Sequence, residues 1–158
     1  MDAVSLRADS QHGFTLIELI MVMLLVGILA FAALPRFAGI QVFKTRGFFD
    51  QTLAMLRYAQ KAAIAQRRDV YVNIDAAAGK ICVTYAADAA CAGSTLNDPA
   101  GQARFVHSAP DGTVFAASTS FSFTALGRPN PNGAHLIGVV ADGATSTITV
   151  ERETGYVH

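Results

Sequence analysis

From Phe14 to Leu34 the chain runs for 21 residues with a single charged side chain, Glu18. As a helix this run is roughly 30 Å long, the thickness of a bilayer's hydrocarbon core. Beyond Pro35 the pattern changes. Phe49, Leu53, Leu56, Ala59 and Ala63 recur at gaps of four, three, three and four, which marks one face of an amphipathic helix. The opposite side of that helix carries Arg57, Lys61, Arg67 and Arg68. Proline removes one backbone hydrogen bond and crowds the preceding turn, so a kink is expected at Pro35, with Gly39 and Gly47 as further weak points.

After Asp69 the period becomes alternating. Segments 70–74 and 80–85 are rich in β-branched and aromatic residues and flank a turn at 75–79, which reads as a hairpin. Further strands are expected at 104–107, 113–115, 120–124, 135–140 and 145–151, with a short last one at 155–157 and loops at 96–101 and 128–133. A long helix followed only by strands predicts an α+β architecture in which the helix packs on an antiparallel β-sheet head. Four regions result: a polar leader at 1–13, an apolar stem at 14–34, an amphipathic stalk at 35–68 and a β-rich head at 69–158.

Composition sharpens this division. The whole chain has 12 basic and 12 acidic residues, no formal net charge and 52% apolar residues, which argues against both disorder and an overall basic field. By position, residues 36–68 hold seven basic side chains against one acid, a balance of +6, whereas residues 69–158 hold four against eight, a balance of −4. A secretory signal peptide is the competing reading of the apolar run, but it calls for a basic leader and a shorter apolar core. A plain membrane anchor is the third reading. Glu18 speaks against it, because a carboxylate in an apolar span persists where it has a partner or a function.

The segment Gly13-Phe14-Thr15-Leu16-Ile17-Glu18-Leu19 resembles the prepilin cleavage motif of type IV pilins and of type II secretion pseudopilins. The resemblance implies cleavage after Gly13 by a prepilin peptidase, N-methylation of Phe14 and pairing of Glu18 with the amino group of a neighbouring subunit's Phe14. Pairing would offset the cost of leaving either charge alone in apolar surroundings. The leader departs from the usual pattern in having Gln11-His12 beside the cut where Lys or Arg is common. Ala33-Leu34-Pro35-Arg36-Phe37 is similar to the matching stretch of MSHA-type pilins. The arrangement around Val70-Tyr71-Val72, Phe121 to Pro129 and Ile148 to Val157 resembles the GspH/FimT class of minor pilins and pseudopilins. The implied role is a structural minor pilin or pseudopilin with no catalytic site and no cofactor, held in the inner membrane with its head in the periplasm and then drawn into a filament. Its implied partners are other subunits, the peptidase, the inner-membrane assembly platform and the membrane itself. A minor pseudopilin of type II secretion and a DNA-capturing pilin are the alternatives.

Cys82 and Cys91 are the only cysteines and lie in the part that such an anchor places outside the cytoplasm, so a disulfide worth roughly 2–3 kcal/mol is expected. Together with His107 or His135 they lack zinc-site spacing, and Asp98 and Asp111 lack a calcium-loop pattern. Ser118, Ser120 and Ser122 have no nucleophile-elbow setting, and Ala77-Ala78-Gly79-Lys80 is an incomplete phosphate loop. Nucleic acid is not an expected partner, because a head at −4 cannot neutralise several phosphates. The residue set best suited to a polyanion is the stalk face of Arg57, Lys61, Arg67 and Arg68.

Overall fold

The computed structural model of the chain describes residues 14–88, 90–93, 95–99, 101 and 104–158, with the backbone alone at 33–40. The leader therefore lies outside the described residues, as does the side chain of Pro35. Helix α1 spans Leu16–Gln66 and is helical without a break across Gly27, Pro35, Gly39 and Gly47. Eight strands follow: β1 Val70–Asp75, β2 Lys80–Thr84, β3 Val106–Ser108, β4 Thr113–Phe115, β5 Thr119–Phe123, β6 Pro129–Asn130, β7 His135–Ala141 and β8 Ala144–Val150. The chain divides into two compact units, Met1–Gly39 and Ile40–His158. The second half of α1 thus belongs to the same unit as the strands.

The helix stops because Arg67 adopts a left-handed backbone, φ 49°. Its N–H bonds the Ile64 carbonyl, and the Arg68 N–H bonds the Ala63 carbonyl. This is the hydrogen-bond pattern of a Schellman cap, with arginine standing where glycine is usual. The reversal sends the chain straight into β1. Strands β1 and β2 then form the expected hairpin, with Asp75 opposite Lys80 and the Asp75 carboxylate accepting from the Ala78 N–H at 3.0 Å.

The strands form two antiparallel sheets, one ordered β3-β2-β1-β5-β6 and the other β4-β7-β8. Met55, Leu56, Ala59 and Ala63 of α1 are buried in one apolar cluster with Val70, Val72 and Ile74 of β1, Ile81 and Val83 of β2, and Phe121 and Phe123 of β5. Ile137, Val139, Ile148 and Val150 of the second sheet belong to the same cluster. Two of the helix positions are alanine, which lets the backbone of α1 approach closely. Toward its Phe48 end, α1 meets the second sheet through the Phe48–Phe115 ring pair, centroids 5.4 Å apart, and through a Thr45–Thr113 hydroxyl pair at 2.9 Å.

A polar layer lies on the other side of the larger sheet. Asn73 donates to the Thr84 hydroxyl and accepts from Ser120, and Thr84 donates to the Ala86 carbonyl, so these groups are satisfied. The Cys82–Cys91 disulfide, Cα atoms 5.9 Å apart, ties the segment after β2 to its strand. A residue buried at the centre of the cluster should carry a large packing contribution. Leu56→Ala is expected to cost about 2–5 kcal/mol, read as a lower urea midpoint of the detergent-solubilised full chain with an unchanged m-value.

Candidate assembly surfaces

The first surface is the N-terminal half of α1. Thr15 precedes the first helical residue, and its hydroxyl accepts the Glu18 N–H at 3.3 Å. That contact is half of a capping box, T-x-x-E, which settles one of the otherwise unpaired amides of the helix start. The signal was present in Thr15-Leu16-Ile17-Glu18, where sequence reasoning weighed only the carboxylate. Glu18 therefore has its backbone fixed by Thr15 while its side chain is exposed. Around it every large apolar side chain is exposed to a similar degree, from 84% at Phe14 through 50% at Ile20 to 81% at Phe31. The exposure has no preferred side. A helix apolar all round has to be enclosed by lipid or by other apolar helices. Among the described residues no helix is long and apolar enough to cross a membrane.

The second surface is the basic side of α1. The structure does not leave its four residues equivalent. Arg57 donates through Nε and a terminal nitrogen to the Val157 carbonyl, at 3.2 and 3.1 Å. Arg68 lies over the Tyr85 ring, 4.0 Å from its centroid. Arg67 is the left-handed cap residue. Lys61 is exposed and lines a groove of about 530 Å³ with Asp50, Leu53, Arg57, Tyr58 and Pro99.

Beside the basic side of α1 lies a clasp that sequence reasoning missed. Gln60, one turn from Arg57, donates to the Gly127 carbonyl at 3.0 Å and to the Thr154 carbonyl at 2.8 Å. Gly127 and Gly155 both have positive φ, 77° and 65°. A side chain on Gly155 would collide with the Gly127 carbonyl, and one on Gly127 would collide with Ile64. The Gly127-Arg128 turn and the closing segment are thus pressed onto α1, and glycine is required at both contacts. A lone glutamine within a helix gives no sequence signal for such a role. The closing segment then pairs with the end of β8 through Val150 and Val157, and through reciprocal Thr149–His158 bonds of 2.8 and 3.0 Å.

No cluster of three or more potential metal ligands occurs among the described residues. The Ser118 hydroxyl accepts the Ala76 N–H at 2.9 Å.

An apolar helical stem that continues into the spine of an antiparallel head is the build of type IV pilins and pseudopilins. Residues 9–34 match the prokaryotic N-terminal methylation motif, and residues 50–154 match the family described as type II transport protein GspH. The second match takes in about two thirds of the chain, and the protein belongs to that family. It is a minor pilin or pseudopilin subunit, a structural component and not an enzyme. Among solved structures the fold is similar to the type IV minor pilin FimU of Pseudomonas aeruginosa, at 17% identity and a TM-score of 0.53 over 69% of this chain and 86% of that one. It is also similar to the minor pseudopilin EpsH of the Vibrio cholerae type 2 secretion system, at 13% identity and a TM-score of 0.52 over 73% of this chain and 92% of that one. No curated protein matches the sequence significantly. Family membership implies assembly with other pilin subunits, processing by a prepilin peptidase, and a membrane-anchored stage before the filament.

The clasp makes a direct prediction. Gln60→Leu removes both hydrogen bonds and leaves the part-buried Gly127 carbonyl without its donor, so it should destabilise the head by about 1–3 kcal/mol. Faster proteolysis of the closing segment at unchanged membrane association is the expected readout.

Proposed function

We propose that this subunit is held in the inner membrane by a single span at Phe14–Leu34 with its head in the periplasm, and that the same span becomes the core of a type IV pilus-like filament. The observation that carries this reading is the all-round exposure of the apolar side chains from Phe14 to Phe31, interrupted by one carboxylate. Lipid satisfies such a surface before assembly, and neighbouring apolar helices satisfy it afterwards. An inner-membrane assembly platform would move the subunit from one environment to the other.

In this reading a prepilin peptidase cuts after Gly13 and Phe14 becomes the methylated N-terminus. The new amino group and the Glu18 carboxylate are both costly in apolar surroundings, and joining them between adjacent subunits offsets much of that cost. Because Thr15 holds the Glu18 backbone at the helix start, the carboxylate is carried at a defined height on the helix. The pair then sets axial register, while the head contributes to assembly or adhesion. Pro35 marks the point where the apolar stem gives way to the basic stalk.

A type II secretion pseudopilin is the second reading, supported by the GspH family description and the likeness to EpsH. Deleting the gene separates the two. Loss of surface pili with normal exoprotein export supports the pilus reading, and the reverse supports the secretion reading. The DNA-capturing alternative gains little from the stalk, since Arg57 and Arg68 are engaged within the chain. No gel shift of duplex DNA at low salt is expected.

Replacing Gly13 with a bulky residue should leave the leader attached; N-terminal sequencing that starts at Phe14 in that variant would refute the cleavage assignment. Glu18→Gln should insert normally yet enter filaments at roughly a tenth or less of the wild-type level, as expected if a buried pair loses one partner. Shear-fraction immunoblotting measures it.

A further inference from the structure

An open sheet has two edges, and an edge with free N–H and C=O groups accepts another strand unless it is short, broken or charged. Among the described residues of the unit Ile40–His158, three of the four edges follow that rule. Strands β3 and β4 are three residues long, and β6 is two residues long and begins with Pro129. Strand β8 does not. It runs for seven residues, carries neither a charge nor a proline, and pairs with β7 without a bulge from Val150 opposite His135 to Ala144 opposite Ala141.

The outer side of β8 is only partly used. The closing segment covers one end, where Thr149 and His158 exchange both backbone hydrogen bonds and the Glu151 N–H bonds the Tyr156 carbonyl. Alternate residues of a strand aim their N–H and C=O the same way, so those of Thr145 and Thr147 point away from β7 as those of Thr149 do. The Gly138 carbonyl, opposite Thr147, agrees, because it turns from β8 and accepts the Ala116 N–H. Among the described residues no backbone partner meets Thr145 or Thr147 on that side, and residues 144–147 are exposed.

The faces of β8 specify what fits beside it. Ser146 lies on the same side as the buried Ile148 and Val150, and it lines a groove of about 330 Å³ with Thr45, Arg46, Phe49, Asp50 and Val139. Arg46 and Asp50 bring opposite charges to that groove, so it favours an uncharged side chain seated against Phe49. On the other side Thr145 and Thr147 stand opposite Val140 and Gly138, again without charge.

We propose that an extended, uncharged segment of a different pilin subunit adds to β8 along Thr145, Ser146 and Thr147, taking up the edge where His158 leaves it. Main-chain hydrogen bonds to Thr145 and Thr147 supply affinity, and the groove beside Phe49 selects the side chain. A second copy offering its own β8 would form an isologous pair that closes on itself, whereas a filament grows through unlike surfaces. This inference rests on the filament reading and adds the surface that holds one neighbour.

Photocross-linking in intact cells tests it, with p-benzoylphenylalanine in place of the exposed Ala144 of the full-length chain. Irradiation should join the protein to another subunit that carries a pilin N-terminal motif, identified by mass spectrometry of the adduct. Thr147→Pro removes an outward N–H and should lower that yield roughly tenfold, with the urea midpoint of the detergent-solubilised chain unchanged. Ser146→Pro, whose N–H faces Val139 of β7, should lower the midpoint instead. Thr145→Lys combined with Thr147→Lys keeps every N–H and charges the edge, so it should lower the yield to a similar extent, and it decides the matter if the proline variant fails to fold. An adduct with a second copy or with lipid alone, or a yield that the lysine variant does not lower, overturns the inference; filaments that still contain the protein then leave the filament reading standing. Absence of the unaltered protein from filaments removes the filament reading, and this inference with it.

Discussion

One helix has to satisfy two different surroundings. The first half of α1 displays apolar side chains on every side, each large one at least half exposed among the described residues, whereas the second half buries a single stripe against strands. Apolar surface left in water is costly in proportion to its area, so the first half demands lipid or other helices and the second half demands a head. Each unit answers to its own demand. Glu18 is intelligible only within that constraint, since a carboxylate is tolerated in an apolar helix when something outside the helix neutralises it.

Within the head, the stalk portion of α1 is both the floor of the core and a polar scaffold. Leu56, Ala59 and Ala63 serve packing, while Arg57 and Gln60 reach the carbonyls of Val157, Gly127 and Thr154. Two distant parts of the chain are thereby held to one helix, and glycines 127 and 155 permit the close approach. The same use of Arg57, together with the stacking of Arg68 on Tyr85, draws down the basic face and leaves Lys61 as the cation facing a groove.

Much of the head was legible as alternation. Strands β1, β2, β4, β5, β7 and β8 fall where β-branched and aromatic residues alternate with polar ones, because each lays one face on the core. Two strands departed from the pattern. Strand β3 covers Val106–Ser108 where 104–107 was expected, and the Phe105 amide and carbonyl are instead taken by Leu96 and Val83. Strand β6, Pro129–Asn130, falls in a stretch read as loop; it is an edge strand, where a proline without an N–H costs no ladder bond. The closing strand at 155–157 is reduced to a single bridge at Val157. Sequence reading also placed the helix on one sheet, and the strands divide into two.

The sequence by itself determined the apolar stem, its lone carboxylate, the amphipathic stripe of the stalk, the disulfide partners and the order of the main strands. These follow from local composition and spacing, where the period of apolar residues reports which face is buried. Only the tertiary structure decided that Gln60 clasps two loops, that Arg57 and Arg68 are occupied, and that the strands part into two sheets. Those outcomes depend on residues far apart in the chain being brought together by a common core, and no local pattern records which distant carbonyl a glutamine will meet.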